Sequence, residues 1–119
     1  MIITLPWPAH TLSPNTRQHH MALHRAKAKY REACRISVLM LPAASRQVPD
    51  GRLLVEMQFC PPDKRRYDVD GICSRMKSGL DGVADALQLN DERFRPVPLP
   101  MGGVVRGGAV YLKITQEKP

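Results

Sequence analysis

Cysteine is scarce in this chain: only Cys34, Cys60 and Cys73 occur. The count is odd and no Cys-x-x-Cys spacing appears, which argues against a disulfide framework and against a structural zinc site. A reducing cytoplasm is the compartment that this usage suggests. Long apolar runs are missing as well. Met1 leads straight into Ile2-Ile3-Thr4-Leu5-Pro6, with no basic leader segment, so neither a signal peptide nor a membrane span is expected. Internal repeats and low-complexity tracts are also lacking. Acidic residues are few relative to basic ones: 11 Asp plus Glu stand against 18 Lys plus Arg, a net charge of +7. That balance points to an acidic partner, of which nucleic acid is the commonest, with a merely basic surface as the alternative.

At 119 residues the chain has the length of one domain, over residues 1–119, with an ordinary hydrophobic share of 43%. Residues 1–5 read as a short strand ended by Pro6 and Pro8. A loop with a turn at Ser13-Pro14-Asn15 follows. Residues 20–41 have helical spacing, with Ala22, Ala26, Tyr30, Ala33, Ser37 and Met40 on one face, and Pro42 stops them. Arg25, Lys27, Lys29, Arg31 and Arg35 crowd the remaining surface of that helix. They read first as a solvated face and only second as a DNA contact. Residues 43–51 form a polar loop. Leu53, Val55, Met57 and Phe59 alternate with Leu54, Glu56 and Gln58, a strand pattern. A second helix is expected over residues 70–87, then a turn at residues 88–91. Residues 94–116 resemble a hairpin with a connection rich in glycine. Its second strand is marked by Val110, Leu112 and Ile114. Its first carries Pro96, Pro98 and Pro100 at period two, tolerable only on an edge strand. The expected fold is a two-layer α+β domain, β-α-β-α-β-β, with two helices on one face of a small mixed sheet.

The chemistry concentrates at Lys64-Arg65-Arg66-Tyr67-Asp68-Val69-Asp70. A basic cluster suits a polyanion, and two carboxylates two residues apart suit a divalent cation. On a helical wheel started at Asp70, Ser74, Lys77 and Asp81 share its side, while Ile72, Met76, Leu80, Val83 and Leu87 lie opposite. One face is then core, and the other presents acid, lysine and acid in a row. The helix start next to Asp68 and Asp70 also favours phosphate. Asp91, one helix downstream, is a third acid. Three aspartates match the oxygen-rich, sparsely liganded sites that Mg²⁺ prefers, and phosphodiester hydrolysis needs such a cation together with alignment of the phosphate. Each residue also has a plainer role. An Asp-x-Asp before a helix serves as an N-cap, Lys77 and Asp81 form an i, i+4 pair, and Asp91 caps a turn. His20 and His24, also i, i+4, have no Cys or Glu placed to complete a zinc site and read as surface or DNA-facing imidazoles.

These residues resemble the RusA-type crossover-junction endodeoxyribonucleases, small Holliday junction resolvases common in prophages. The resemblance runs over nearly the whole chain. Ile3-Thr4-Leu5-Pro6-Trp7-Pro8 looks like the family's opening strand, and Leu12-Ser13-Pro14-Asn15 with Arg17 and His20 like its phage-type continuation. Arg65-Arg66-Tyr67-Asp68-Val69-Asp70 matches the basic, Asp-x-Asp motif. Lys77, Gly79-Leu80-Asp81-Gly82 and Asp85-Ala86-Leu87 resemble the helix after it, and Asn90-Asp91 falls where two adjacent aspartates are common. The resemblance implies a homodimeric, Mg²⁺-dependent nuclease of DNA recombination and repair that resolves four-way junctions by paired nicks. Asp68, Asp70 and Asp91 would be its catalytic, metal-binding acids. Lys77 would act in catalysis or DNA binding, and Lys64, Arg65 and Arg66 would draw in the DNA backbone. Two departures stand beside the acids: Gly71 replaces the usual Asn, and Asn90 replaces the first acid of the pair. They point to the alternative of a catalytically degenerate protein that binds branched DNA.

Overall fold

Alternation of buried and half-exposed side chains makes β2 (Leu53–Cys60) the centre of the sheet: Leu53, Val55, Met57 and Phe59 are all fully buried. A computed structural model, which describes residues 1–13 and 20–118, places β4 (Ala109–Gln116) antiparallel on one side of β2 and β3 (Phe94–Pro98) parallel on the other. β1 (Ile2–Pro6) pairs antiparallel with β4, so the sheet order is β1-β4-β2-β3. The register lines up the apolar rows. Leu5 faces Val110, which faces Phe59, and Ile3 faces Leu112, which faces Met57. A single cluster joins these rows to Tyr30, Cys34, Val38, Ile72, Leu80 and Val83 from the helices and to Met76 from the turn before the last of them. The helices therefore cover one face of a mixed sheet, and the α+β class expected from the pattern is the one found. Each large side chain buried in this way contributes about 1.5–3 kcal/mol.

The expected hairpin over residues 94–116 does not form, because β2 lies between β3 and β4. Alternating Val110, Leu112 and Ile114 define a strand but not its neighbour. Proline decides the other half of the question. Pro96 and Pro98 sit opposite Val55 and Met57 on the edge strand, where absent N–H groups face away from the sheet. The chain then follows β2 outward, with N–H groups of Leu99, Gly102 and Val105 donating to the carbonyls of Met57, Phe59 and Pro61. Gly107 and Gly108, at φ +78° and +74°, turn it back into β4. At Gly108 a Cβ would also stand 2.8 Å from the Cβ of Trp7, so glycine is required there on two counts.

Helix α1 (His20–Leu39) ends two residues earlier than expected, and its buried side chains are Tyr30, Cys34 and Val38. Met40, placed by spacing on one face with Tyr30, is 80% exposed, because the buried side runs at i, i+4 and i+8 through Tyr30, Cys34 and Val38. Burial pushes the Cys34 thiol up to about 12. The second expected helix, over residues 70–87, is two pieces: α2 (Val69–Cys73) and α3 (Lys77–Leu87). Between them the N–H groups of Arg75 and Met76 reach back only three residues, to Ile72 and Cys73, and the Ser74 hydroxyl donates to the Gly71 carbonyl at 2.6 Å. Tightened turns and a back-bonded serine compete with the α-helical ladder, and Gly71 weakens its first turn. The polar loop after Pro42 opens with a short 3-10 turn, Ala43–Arg46. The expected turn at Ser13-Pro14-Asn15 and the motif residue Arg17 fall on or beside residues 14–19, outside the described residues.

The parallel β2–β3 pair requires a crossover, and α2 and α3 supply it. Helix α3 lies directly against α1 because it carries glycine at the crossing. A Cβ on Gly79 would come within 2.5 Å of the Tyr30 ring, and one on Gly82 within 2.0 Å of the Arg31 carbonyl oxygen. This close approach brings Arg31 of α1 to the polar side of α3.

Candidate active site

The segment before α2 is braced by groups distant in sequence. The Asp63 carboxylate accepts from the Arg65 N–H (2.9 Å) and the Tyr67 hydroxyl (3.0 Å). The backbone N–H of Arg65 is the main cause of a lowered Asp63 pKa. Tyr67 meets Trp7 edge to face, with ring centroids 5.5 Å apart. The Tyr30 hydroxyl donates to the Pro6 carbonyl (2.7 Å), and Arg75 Nη1 to the Pro8 carbonyl (3.3 Å). The opening Pro6-Trp7-Pro8 thus ties α1, the residue 63–67 loop and the α2–α3 junction together. Lys64, Arg65 and Arg66 remain exposed on that loop.

Asp68 is the N-cap of α2, and its Oδ1 accepts the Asp70 N–H at 3.3 Å. Both carboxylates are exposed. The plain capping role and the neighbouring pair of acids are therefore present together. The helix that starts there has only five residues, so the dipole expected to favour phosphate is small.

A second group assembles on α3. Lys77 Nζ donates to Asp81 Oδ1 at 3.1 Å, the expected i, i+4 pair, and to Asp91 Oδ2 at 2.5 Å. Asp91 opens a one-turn 3-10 helix whose N-cap is Asn90, which accepts the Glu92 N–H at 2.9 Å. One turn further along α3, Asp85 receives a two-pronged bond from Arg31, at 2.7 and 2.8 Å. Arg31, Lys77, Asp81, Asp85, Asn90 and Asp91 line one open depression of about 290 Å³. The hydrogen bond to Asp91, then that to Asp81, raises the Lys77 ammonium above its ordinary 10.5. The contact with Lys77 holds the Asp91 carboxyl below 3.8, and the Arg31 fork does the same for Asp85. All these groups meet solvent, so the pairs orient one another more than they stabilise the fold.

The structure thus joins Lys77 to Asp91 and Asp68 to Asp70. Among the described residues no three His, Cys, Asp or Glu side chains stand close enough to ligate one ion, so the acid pair and Asp91 do not form one ligand group. As donors the three are hard carboxylate oxygens, and two adjacent carboxylates with open coordination are what Mg²⁺ takes when water and phosphate complete its shell. The Asp68–Asp70 pair therefore suits the cation by donor type, while Asp91 stands apart from it. Arg31 and Asp85 were not singled out in the sequence as site residues. Asp85 continues the Lys77–Asp81 spacing by one more turn and was legible in that sense. Arg31 is 54 residues away from it, and no local pattern joins them.

No helix among the described residues is long and apolar enough to cross a membrane. No family model matches the chain. The sequence is 35% identical over 114 residues to an uncharacterized protein of Xylella fastidiosa, strain Temecula1, an alignment that covers 95% of this chain and 74% of that one. On that likeness, the chain belongs to the same protein family as the Xylella fastidiosa protein.

Proposed function

We propose that this protein is a Mg²⁺-dependent, structure-selective DNA endonuclease of the RusA type, which resolves four-way junctions by paired nicks in recombination and repair. The observation that carries the reading is the contact between Lys77 and Asp91. Two motif residues 14 positions apart meet at 2.5 Å on the solvent side of α3. Lys64, Arg65 and Arg66, held out on a braced loop, would attract the DNA backbone by charge rather than by sequence. Asp68, Asp70 and Asp91 would hold Mg²⁺, which when bound supplies charge neutralisation at the phosphate and a lowered pKa for attacking water. Lys77, which donates to both Asp81 and Asp91, would place its ammonium on the phosphate as a point charge. The pairing with Asp81 keeps the side chain aimed. A homodimer would match the two symmetry-related strands of a junction. The free cysteines, two of them buried, suit a reducing cytoplasm.

A second reading is a protein that binds branched DNA without cutting it. The observation in its favour is that Asn90 spends its side chain on capping, while Asp91 is tied to Lys77 and stands apart from the acid pair. One experiment separates the two: a synthetic four-way junction with Mg²⁺ or with EDTA. Paired nicks appear only with Mg²⁺ under the first reading, and Asp70→Asn lowers their rate by about 10²-fold or more while junction binding survives. Binding without nicking in any divalent cation would select the second, and nicking by Asp70→Asn at the wild-type rate would remove Asp70 from the site.

A further inference from the structure

The basic residues of α1 separate into two sets once the helix is docked. His24, Lys27 and Arg31 follow one another at i, i+3 and i+7, a single stripe along the side next to α3. Arg25 projects from a different face, about 200° from Lys27 on the helical wheel. The stripe lines a chain of depressions. The one that holds Lys77 and Asp91 shares Arg31, Lys77 and Asp81 with a second, of about 330 Å³, also lined by His24, Lys27 and Ser78. That one in turn shares His24 and Lys27 with a third, at the start of α1. Three adjoining depressions, together a trough, therefore lead from the candidate site along α1, the first two between α1 and α3. Acids line only its inner part, where Lys77 and Arg31 pair with them. Towards the start of α1 no acid lines it, and Lys27 is exposed and takes part in none of the ion pairs among the described residues.

A polar trough with the unneutralised ammonium of Lys27 at its outer part, the acid-paired Arg31 and Lys77 further in, and hydroxyl and imidazole groups beside them is suited to a phosphodiester backbone. From residue 20 to residue 31 the helix rises about 17 Å, long enough to follow several phosphates of one strand. We propose that the trough between α1 and α3, lined by His24, Lys27, Arg31, Ser78 and Lys77, binds the phosphate backbone of one DNA arm and leads it to the candidate site. The proposal rests on the DNA reading above and adds a contact surface on α1, distinct from the Lys64-Arg65-Arg66 loop.

The test measures binding of a labelled four-way junction in EDTA across a salt series. It compares the wild-type protein, Lys27→Glu, Lys27→Arg and, as a charge-matched control on the other face, Arg25→Glu. Lys27→Glu should weaken binding about tenfold or more and reduce the slope of log affinity against log salt by about 1. Lys27→Arg should restore both, and Arg25→Glu should change them much less. If Lys27→Glu and Arg25→Glu match in affinity and slope while the wild-type protein binds, the trough is not a DNA track and the nuclease reading stands. If the wild-type protein fails to bind the junction even at low salt, both proposals fall.

Discussion

The two halves of the candidate site are built to different stiffness. Asp68 caps, and Asp70 sits in, a five-residue helix that contains glycine and ends in tightened turns, and the capping bond between them is long, at 3.3 Å. Lys77, Asp81 and Asp85 sit on an eleven-residue helix held against α1 so closely that Gly82 leaves no room for a methyl group. Arg31 arrives there from α1 and locks to Asp85 through two bonds. One stretch of sequence, expected to form a single helix with one functional face, thus divides into a short, glycine-containing part that carries the acid pair and a longer, tightly packed part that carries Lys77. On the proposed nuclease reading, carboxylates around a cation would gain from the first and a positioned ammonium from the second.

The sharpest way to break this comparison is to remove the ammonium from the rigid half. On the proposed reading, in which Lys77 sits on a phosphate, Lys77→Ala should lower junction cleavage or binding by about tenfold or more, while the thermal unfolding midpoint stays close to that of the wild-type protein. Unchanged cleavage and binding would return Lys77 to a solvated helix face. The glycines offer the next largest contrast, with opposite signs in the two halves. Gly82→Ala puts a Cβ 2.0 Å from the Arg31 carbonyl oxygen and should destabilise the fold by about 1–3 kcal/mol through forced separation of α1 and α3. Gly71→Ala meets nothing closer than 3.7 Å and should stabilise it by roughly 0.5–1 kcal/mol by stiffening α2. Urea unfolding of both variants measures this, and shifts of the same sign would refute the stiffness contrast.

The smallest effect concerns pH. The Asp85 carboxyl is held below its ordinary 3.8 by Arg31. A depressed carboxyl contributes stability that is complete above the unfolded value, near pH 4, and that is lost as pH falls through the lower folded value. Asp85→Asn should therefore cost about 0.5–1 kcal/mol at neutral pH, and the gap from the wild-type protein should close towards pH 2. A gap of constant size from pH 7 to pH 2 would mean that the Arg31–Asp85 pair stabilises nothing through its charge.

Much of this molecule was legible along the chain. Alternation marked Leu53, Val55, Met57 and Phe59 as buried, and period-two prolines marked an edge strand, because both signals depend on local geometry alone. The wheel placed Ile72, Met76, Leu80 and Val83 inward and Lys77 and Asp81 outward, and it did so even across a broken helix. The break adds short i−3 turns, which preserve facing better than they preserve helix type. What escaped were relations between segments. The hairpin expected over residues 94–116 looked local, yet β2, far earlier in the chain, takes the position between its strands.

Helix, strand and edge character, the basic surface and the aspartate pair at a helix start were determined by the sequence itself, since backbone sterics and side-chain periodicity act over a few residues. Tertiary structure alone decided that Lys77 meets Asp91, that Arg31 meets Asp85 and that the basic residues of α1 fall into two sets. Those contacts exist because Gly79 and Gly82 let two helices touch and because a parallel crossover returns the chain past its own start. No periodicity in a one-dimensional string encodes which surfaces will be pressed together.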